Sequence, residues 1–132
     1  MRTALEPLIL SIAACLASAS AIAAEVGPGK GYEHARPGVF SVVAEVRAKP
    51  GKEDELRAVT LPLIELVRGD PKNLLYFLQE DRTSRGHFVF YEVFANEADF
   101  EAHNNMSYVK AWLAKLPELA DGGVKVVRME IL

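Results

Sequence analysis

Residues 86–112 read GHFVFYEVFANEADFEAHNNMSYVKAW, and the fold turns on how their first nine positions are understood. Phe88, Phe90, Glu92 and Phe94 alternate with His87, Val89, Tyr91 and Val93, the period of a strand, so one carboxylate falls in a row of phenylalanines. The opposite row is apolar too, with Val89, Tyr91 and Val93. Next, Asn96 is placed to cap a short helix with Asp99 in its first turn, and Phe100 and His103, three residues apart, share a face of it. Strand and helix are consecutive, which brings Glu92 and His103 towards one pocket.

The flanking segments follow the same patterns. Phe40, Val42, Ala44, Val46 and Ala48 form one apolar face of a first strand, ended by Lys49-Pro50-Gly51. Glu53, Asp54 and Glu55 then fill the first turn of a helix, where carboxylates favour the exposed N–H groups, and Leu56, Val59, Leu63, Leu66 and Val67 recur on its inner side. Pro62 predicts a kink or a tightened turn within that helix, and Gly69-Asp70-Pro71 stops it. Residues 73–81 read as a strand with Leu74, Tyr76 and Leu78 on one face and Leu75 and Phe77 on the other, joined to the phenylalanine strand as an antiparallel hairpin. His87, beside the turn, is expected to be exposed. Ser107 or Asn105 is placed to cap a last helix carrying Val109, Trp112, Leu113 and Leu116, ended or bent by Pro117; residues 124–132 close the chain as a strand. The order strand, helix, strand, strand, helix, strand is the ferredoxin-like split βαβ arrangement, an α+β sandwich on an antiparallel sheet. Both helices of such a fold cover one face of the sheet. The other face should be polar in a monomer, yet the third strand is apolar on both faces, which predicts a homodimer in the form of a dimeric α+β barrel.

Outside that domain, residues 1–24 read as a secretory signal, with Arg2, an apolar run from Leu8 to Leu16, and small residues at Ala21-Ile22-Ala23-Ala24 before Glu25. The run falls short of a bilayer span. Ile12-Ala13-Ala14-Cys15 also resembles a lipobox, so the alternative to a soluble periplasmic or secreted protein is a lipoprotein anchored to the membrane through Cys15. Residues 25–37, with three glycines and two prolines, read as a flexible arm leading to a domain at 38–132. The 132-residue chain has a net charge of −3 with no cluster of Lys or Arg, which argues against a nucleic-acid partner. Loss of the leader removes the single cysteine, so this domain must fold by packing and association without disulfides.

Of the ionisable residues, Glu92 and His103 stand out, each with a bland reading beside the chemical one. Glu92 would serve equally as a structural carboxylate paired with Arg or backbone N–H groups, and His103 as a helix C-terminal residue bonding a carbonyl. Phe88, Phe90, Phe94 and Trp112 suit a core as well as a substrate wall; Tyr76, Tyr91 and Tyr108 suit packing as well as a hydrogen bond to a phenolate. No metal-ligand spacing and no nucleophile motif is present.

Lys49-Pro50-Gly51-Lys52 before the first helix, Asp70-Pro71 with Asn73 and Tyr76 entering the second strand, Tyr91-Glu92 on the third, and His103 with Lys110 in the last helical region carry a resemblance. On these marks residues 40–132 resemble the antibiotic biosynthesis monooxygenase (ABM) domain family, quinol monooxygenase type. The resemblance implies a dimeric ferredoxin-like fold and oxygenation of a small quinol-like aromatic by molecular oxygen with no cofactor, neither metal nor flavin. A deprotonated hydroquinone or naphthol can itself give an electron to oxygen, and the protein supplies a dry cavity and a base. It implies His103 as that base, with Glu92 orienting it or holding its proton, and Asn73, Tyr76, Phe94, Tyr108 and Trp112 around the substrate. Phe94 stands where the family commonly has Trp, Tyr108 where a second His is frequent, and Lys72 where Gly is usual. Haem-degrading relatives use an Asn in the first strand and a Trp in the third, which Ala44, Glu45 and Phe94 do not supply. Three functions share these residues: the monooxygenase, a non-redox isomerase or lyase on a small oxygenated metabolite, and a non-catalytic periplasmic binding or stress protein.

Overall fold

The apolar alternations become strands and the 3.6-residue periodicities become helices in the computed structural model, which describes residues 35–132. The leader, Cys15 and the arm up to residue 34 lie outside the described residues. In chain order the elements are β1 (Phe40–Ala48), α1 (Glu53–Thr60), α2 (Leu63–Arg68), β2 (Asn73–Glu80), β3 (His87–Phe94), α3 (Glu97–Asn104), α4 (Ser107–Leu113), α5 (Leu116–Leu119) and β4 (Ala120–Glu130). The strands form one sheet in the order β2-β3-β1-β4, antiparallel throughout. This is the expected ferredoxin-like α+β fold.

Directly opposed residues share a face, so the register sorts the helix-covered side into rows. One row is Tyr76, Glu92, Val42 and Arg128; the next is Leu78, Phe90, Ala44 and Val126; the third is Glu80, Phe88, Val46 and Val124. Val42, Val46, Leu56, Val67, Phe88 and Phe94 are sealed from solvent on this side. Burying each side chain of this size contributes about 1.5–3 kcal/mol. The other side carries exposed apolar residues at one end, Phe77, Val127 and Met129 at 45%, 55% and 38% in the single chain, and Glu45, Arg47, His87 and Lys125 at the other.

Several local expectations are corrected. At Pro62 the expected interruption is a turn: α1 stops at Thr60, Leu61 and Pro62 keep right-handed helical backbone angles, and Pro62 takes the N-cap position of α2, where its missing N–H costs nothing. Neither Asn105 nor Ser107 caps α4. Met106 holds that position without a side-chain bond, and the Asn105 amide donates to the Glu101 carbonyl at 2.9 Å. Pro117 opens the short helix α5. The last strand begins at Ala120, not residue 124, because Gly122 and Gly123, at φ 74° and 71°, make an irregularity opposite Val46 and Arg47 that lets pairing resume beyond it. A second bulge lies in β2. Asn73 opposes Phe94 while Leu75 opposes Val93, so Leu74 is extra and Asn73 turns onto the face of Glu92, where strict alternation would place it with Leu75.

His87 is buried rather than exposed, its ring bonded by Glu45 and Asp81 on the sheet's outer face. Just before it, Gly86 has φ 78°, and a Cβ there would stand 2.8 Å from that of Ala48, so the turn into β3 requires glycine. Asn96 caps α3 as expected, accepting from the Asp99 N–H at 2.9 Å.

Candidate active site

Strand parity puts Glu92 beneath the helices, and the Asn96 cap starts α3 so that one turn places Phe100 and His103 over β3. Their rings pack on Phe94, with centroids 5.5 and 5.3 Å away. Glu92, His103 and Asp70 are 7%, 4% and 5% exposed, an unusual concentration of ionisable groups in an apolar core.

His103 is flanked on both ring nitrogens. Nδ1 lies 3.2 Å from Asp70 Oδ2, and Nε2 lies 3.6 Å from Glu92 Oε2. The Tyr108 hydroxyl is also 3.4 Å from Nδ1. Orienting the imidazole, a role expected of Glu92, therefore falls to Asp70. A carboxylate only accepts, so the bond to Asp70 puts the proton on Nδ1 and leaves the Nε2 lone pair towards Glu92 and the cavity. Asp70 is itself held, because its Oδ1 accepts from the Lys72 N–H at 2.9 Å in the turn after α2. Asp70 and His103 are 33 residues apart, and no local pattern connects them. The Asp-Pro dipeptide is legible only as a helix stop.

Burial drives the two central groups towards neutrality. It pushes the Glu92 carboxyl up to about 7. It also lowers the His103 pKa, against the opposing hydrogen bond and charge of Asp70. A carboxyl that titrates near neutrality thus faces an imidazole lone pair, an arrangement suited to holding and passing one proton. The Tyr76 hydroxyl, opposite Glu92, is raised by burial and then by the Glu92 charge, which keeps it a neutral donor. Tyr108 is raised to about 12, chiefly by burial.

These groups open on a cavity of about 900 Å³ between sheet and helices. Glu92, His103, Tyr76 and Trp112 line it. Trp112 is set by its indole N–H, which donates to Thr60 Oγ1 at 3.0 Å, and by an edge contact with Phe90 at 5.5 Å. Asn73, Phe94 and Tyr108 are one layer back: Phe94 and Tyr108 contact the His103 ring, and Asn73 is buried at the Phe94 row. Among the described residues, neither the Tyr76 hydroxyl nor Glu92 Oε2 has a hydrogen-bond partner. Both groups stand in one row of the helix-covered face.

A ferredoxin-like α+β fold with a cavity between its sheet and helices defines the class. Residues 39–115 match the antibiotic biosynthesis monooxygenase family, and the chain belongs to it. It is 30% identical to the Bacillus subtilis protein named "Putative monooxygenase YcnE" over 67% of this chain and 93% of that one. It is 32% identical to the uncharacterized protein sll1783 of Synechocystis over 59% of this chain, and spans about half (53%) of that protein's length. The crystal structure of PA3566 from Pseudomonas aeruginosa superposes with a TM-score of 0.67 at 23% identity, over 72% of this chain and 95% of that one, a likeness of fold.

Proposed function

We propose that the protein is an exported, cofactor-independent monooxygenase that acts as a homodimer on a small quinol-like aromatic. The observation that carries this reading is the Asp70–His103–Glu92 line, whose last two members line a predominantly apolar cavity. A ring hydroxyl entering there gives its proton to His103 Nε2 or to Glu92, and Tyr76 donates a hydrogen bond to the resulting phenolate. The phenolate passes an electron to oxygen; the two radicals combine at a ring carbon, and loss of water leaves a hydroxyquinone. A hydroquinone supplies all four electrons, so hydroquinone plus O₂ balances as hydroxyquinone plus water. Apolar walls keep bulk water from the intermediates.

Oxygen uptake by the purified protein with a panel of hydroquinones, naphthols and anthrones tests the reaction. Uptake stoichiometric with product is expected; none with any member sinks it and leaves the acid–base pair to a non-redox isomerase. The exposed Phe77, Val127 and Met129 support the dimer, for which light scattering should give about twice the chain mass. Mass spectrometry of the exported protein should find Glu25 at its N-terminus; an acylated Cys15 would instead place it on a membrane.

A further inference from the structure

The cavity is longer than proton transfer at Glu92 requires. Glu92 opposes Val42 near the start of β1, whereas Lys49, just past the end of that strand, lines the cavity together with Pro117 and with Gly122 and Gly123 in the irregularity opposite Val46 and Arg47. Six residues separate Val42 from Ala48, about 20 Å of strand at ~3.3 Å per residue. The wall between is apolar, including Ala44, Phe90, Trp112, Leu116 and Val124. At the two glycines an added Cβ would meet nothing within 4 Å among the described residues.

Two cations line this space, and only one is available. Arg128 is committed: Nε is 3.3 Å from Glu97, Nη2 donates to Glu101 at 2.8 Å, and its guanidinium lies 5.6 Å from the Phe100 ring centre. The Lys49 ammonium donates to the Pro117 carbonyl at 2.6 Å and, among the described residues, meets no carboxylate. An ammonium has three protons to donate, so two remain. Tyr76 Oη and Glu92 Oε2 are buried without a hydrogen bond among the described residues, and Glu92 Oε2 faces His103 Nε2 at 3.6 Å.

We propose that the site takes an elongated hydroxyaryl carboxylic acid: its ring hydroxyl between Tyr76 and Glu92, an apolar spacer along Ala44 and Phe90, and its carboxylate on Lys49. This rests on the proposed function in that the ring reacts at the Glu92–His103 end. The open glycine end leaves the carboxylate partly hydrated, so binding it carries no burial penalty of the kind an enclosed ion incurs.

The chain has a single tryptophan, and Trp112 lines the cavity, so its emission reports occupancy. Full-length protein under nitrogen is titrated with (2,5-dihydroxyphenyl)alkanoic acids of increasing spacer length and with their methyl esters. The acids should bind about fivefold tighter than their esters at the best spacer, the advantage of a solvent-exposed ion pair, and lose that margin when the spacer is short. Lys49→Gln should abolish the acid's advantage, Lys49→Arg should keep it, and neither should change ester binding. Equal affinity of acid and ester at every length in the wild type overturns the proposal, as does quenching by neither or an acid preference that survives Lys49→Gln. Oxygen uptake separates the two readings: Lys49-dependent acid binding without uptake removes the oxygenase alone, and equal turnover of acid and ester removes the acid specificity alone.

Discussion

Two histidines of this chain each stand between two carboxylates, one on either face of the sheet, and their surroundings act in opposite directions. On the outer face His87 Nε2 is 2.9 Å from Glu45 and Nδ1 is 3.3 Å from Asp81. Beneath the helices His103 Nδ1 is 3.2 Å from Asp70 and Nε2 is 3.6 Å from Glu92. Water makes the difference. The outer carboxylates keep 32% and 34% of their side-chain exposure, the inner ones 4% and 9%. Outside, hydrogen bonds decide: the bond with His87 is the main cause that holds Glu45 below the usual carboxylate range, and the Thr83 backbone N–H comes first in lowering Asp81 to about 2. Inside, desolvation decides, raising Glu92 to about 7 and lowering His103. The same three residue types thus make a hydrogen-bonded cluster that lowers Glu45 and Asp81 in one place and a desolvated group that raises Glu92 in the other.

The contrast can be broken at four points. The largest effect is expected from His103→Ala, which should lower turnover by roughly 10²- to 10⁴-fold in a protein of unchanged circular dichroism; wild-type oxygen consumption would refute the base. Next is Glu92→Gln. A carboxyl raised from 4.5 to about 7 on folding binds more protons folded than unfolded between those pH values, so wild-type stability falls as pH rises through them. The amide lacks this penalty and should gain on the order of 3 kcal/mol relative to wild type by pH 7 and above. Denaturation at pH 4 and pH 8 measures it, and a pH-independent difference would place Glu92 outside the titration. In the same variant the rising limb of the rate profile should move from about pH 7 to below the ordinary histidine value of 6.5, since His103 is then the sole base.

Asp70→Ala should cost about 1–3 kcal/mol, by leaving the His103 and Lys72 donors without their acceptor. It should also lower kcat more than it raises KM, which a purely packing role would not do. The smallest effect belongs to His87→Ala. Turnover should stay at the wild-type value, while the stability that Glu45 contributes above pH 4.5, normally lost as pH falls through its lowered value, should shrink in a thermal melt series. A large loss of turnover would mean that the two faces are coupled.

What the sequence by itself determined is the strand and helix order, and with it the side of β3 on which Glu92 lies. Alternation in residues 87–94 and the cap at Asn96 are local signals, carried by neighbours in the chain, and they place Glu92 and His103 one element apart. Tertiary structure decided what those residues face. Asp70 reaches His103 across 33 residues, Trp112 reaches Thr60 across 52, and the bulge at Leu74 turns Asn73 inward, none of which leaves a periodic trace. His87 shows the same limit from the other side, since Glu45 lies 42 residues away and only strand pairing brings it near. A pattern of apolar residues records which face of an element is buried, because burial acts on every residue of that face. The partner of a single polar group is one contact among elements distant in the chain, and it exists only once the sheet has set its register.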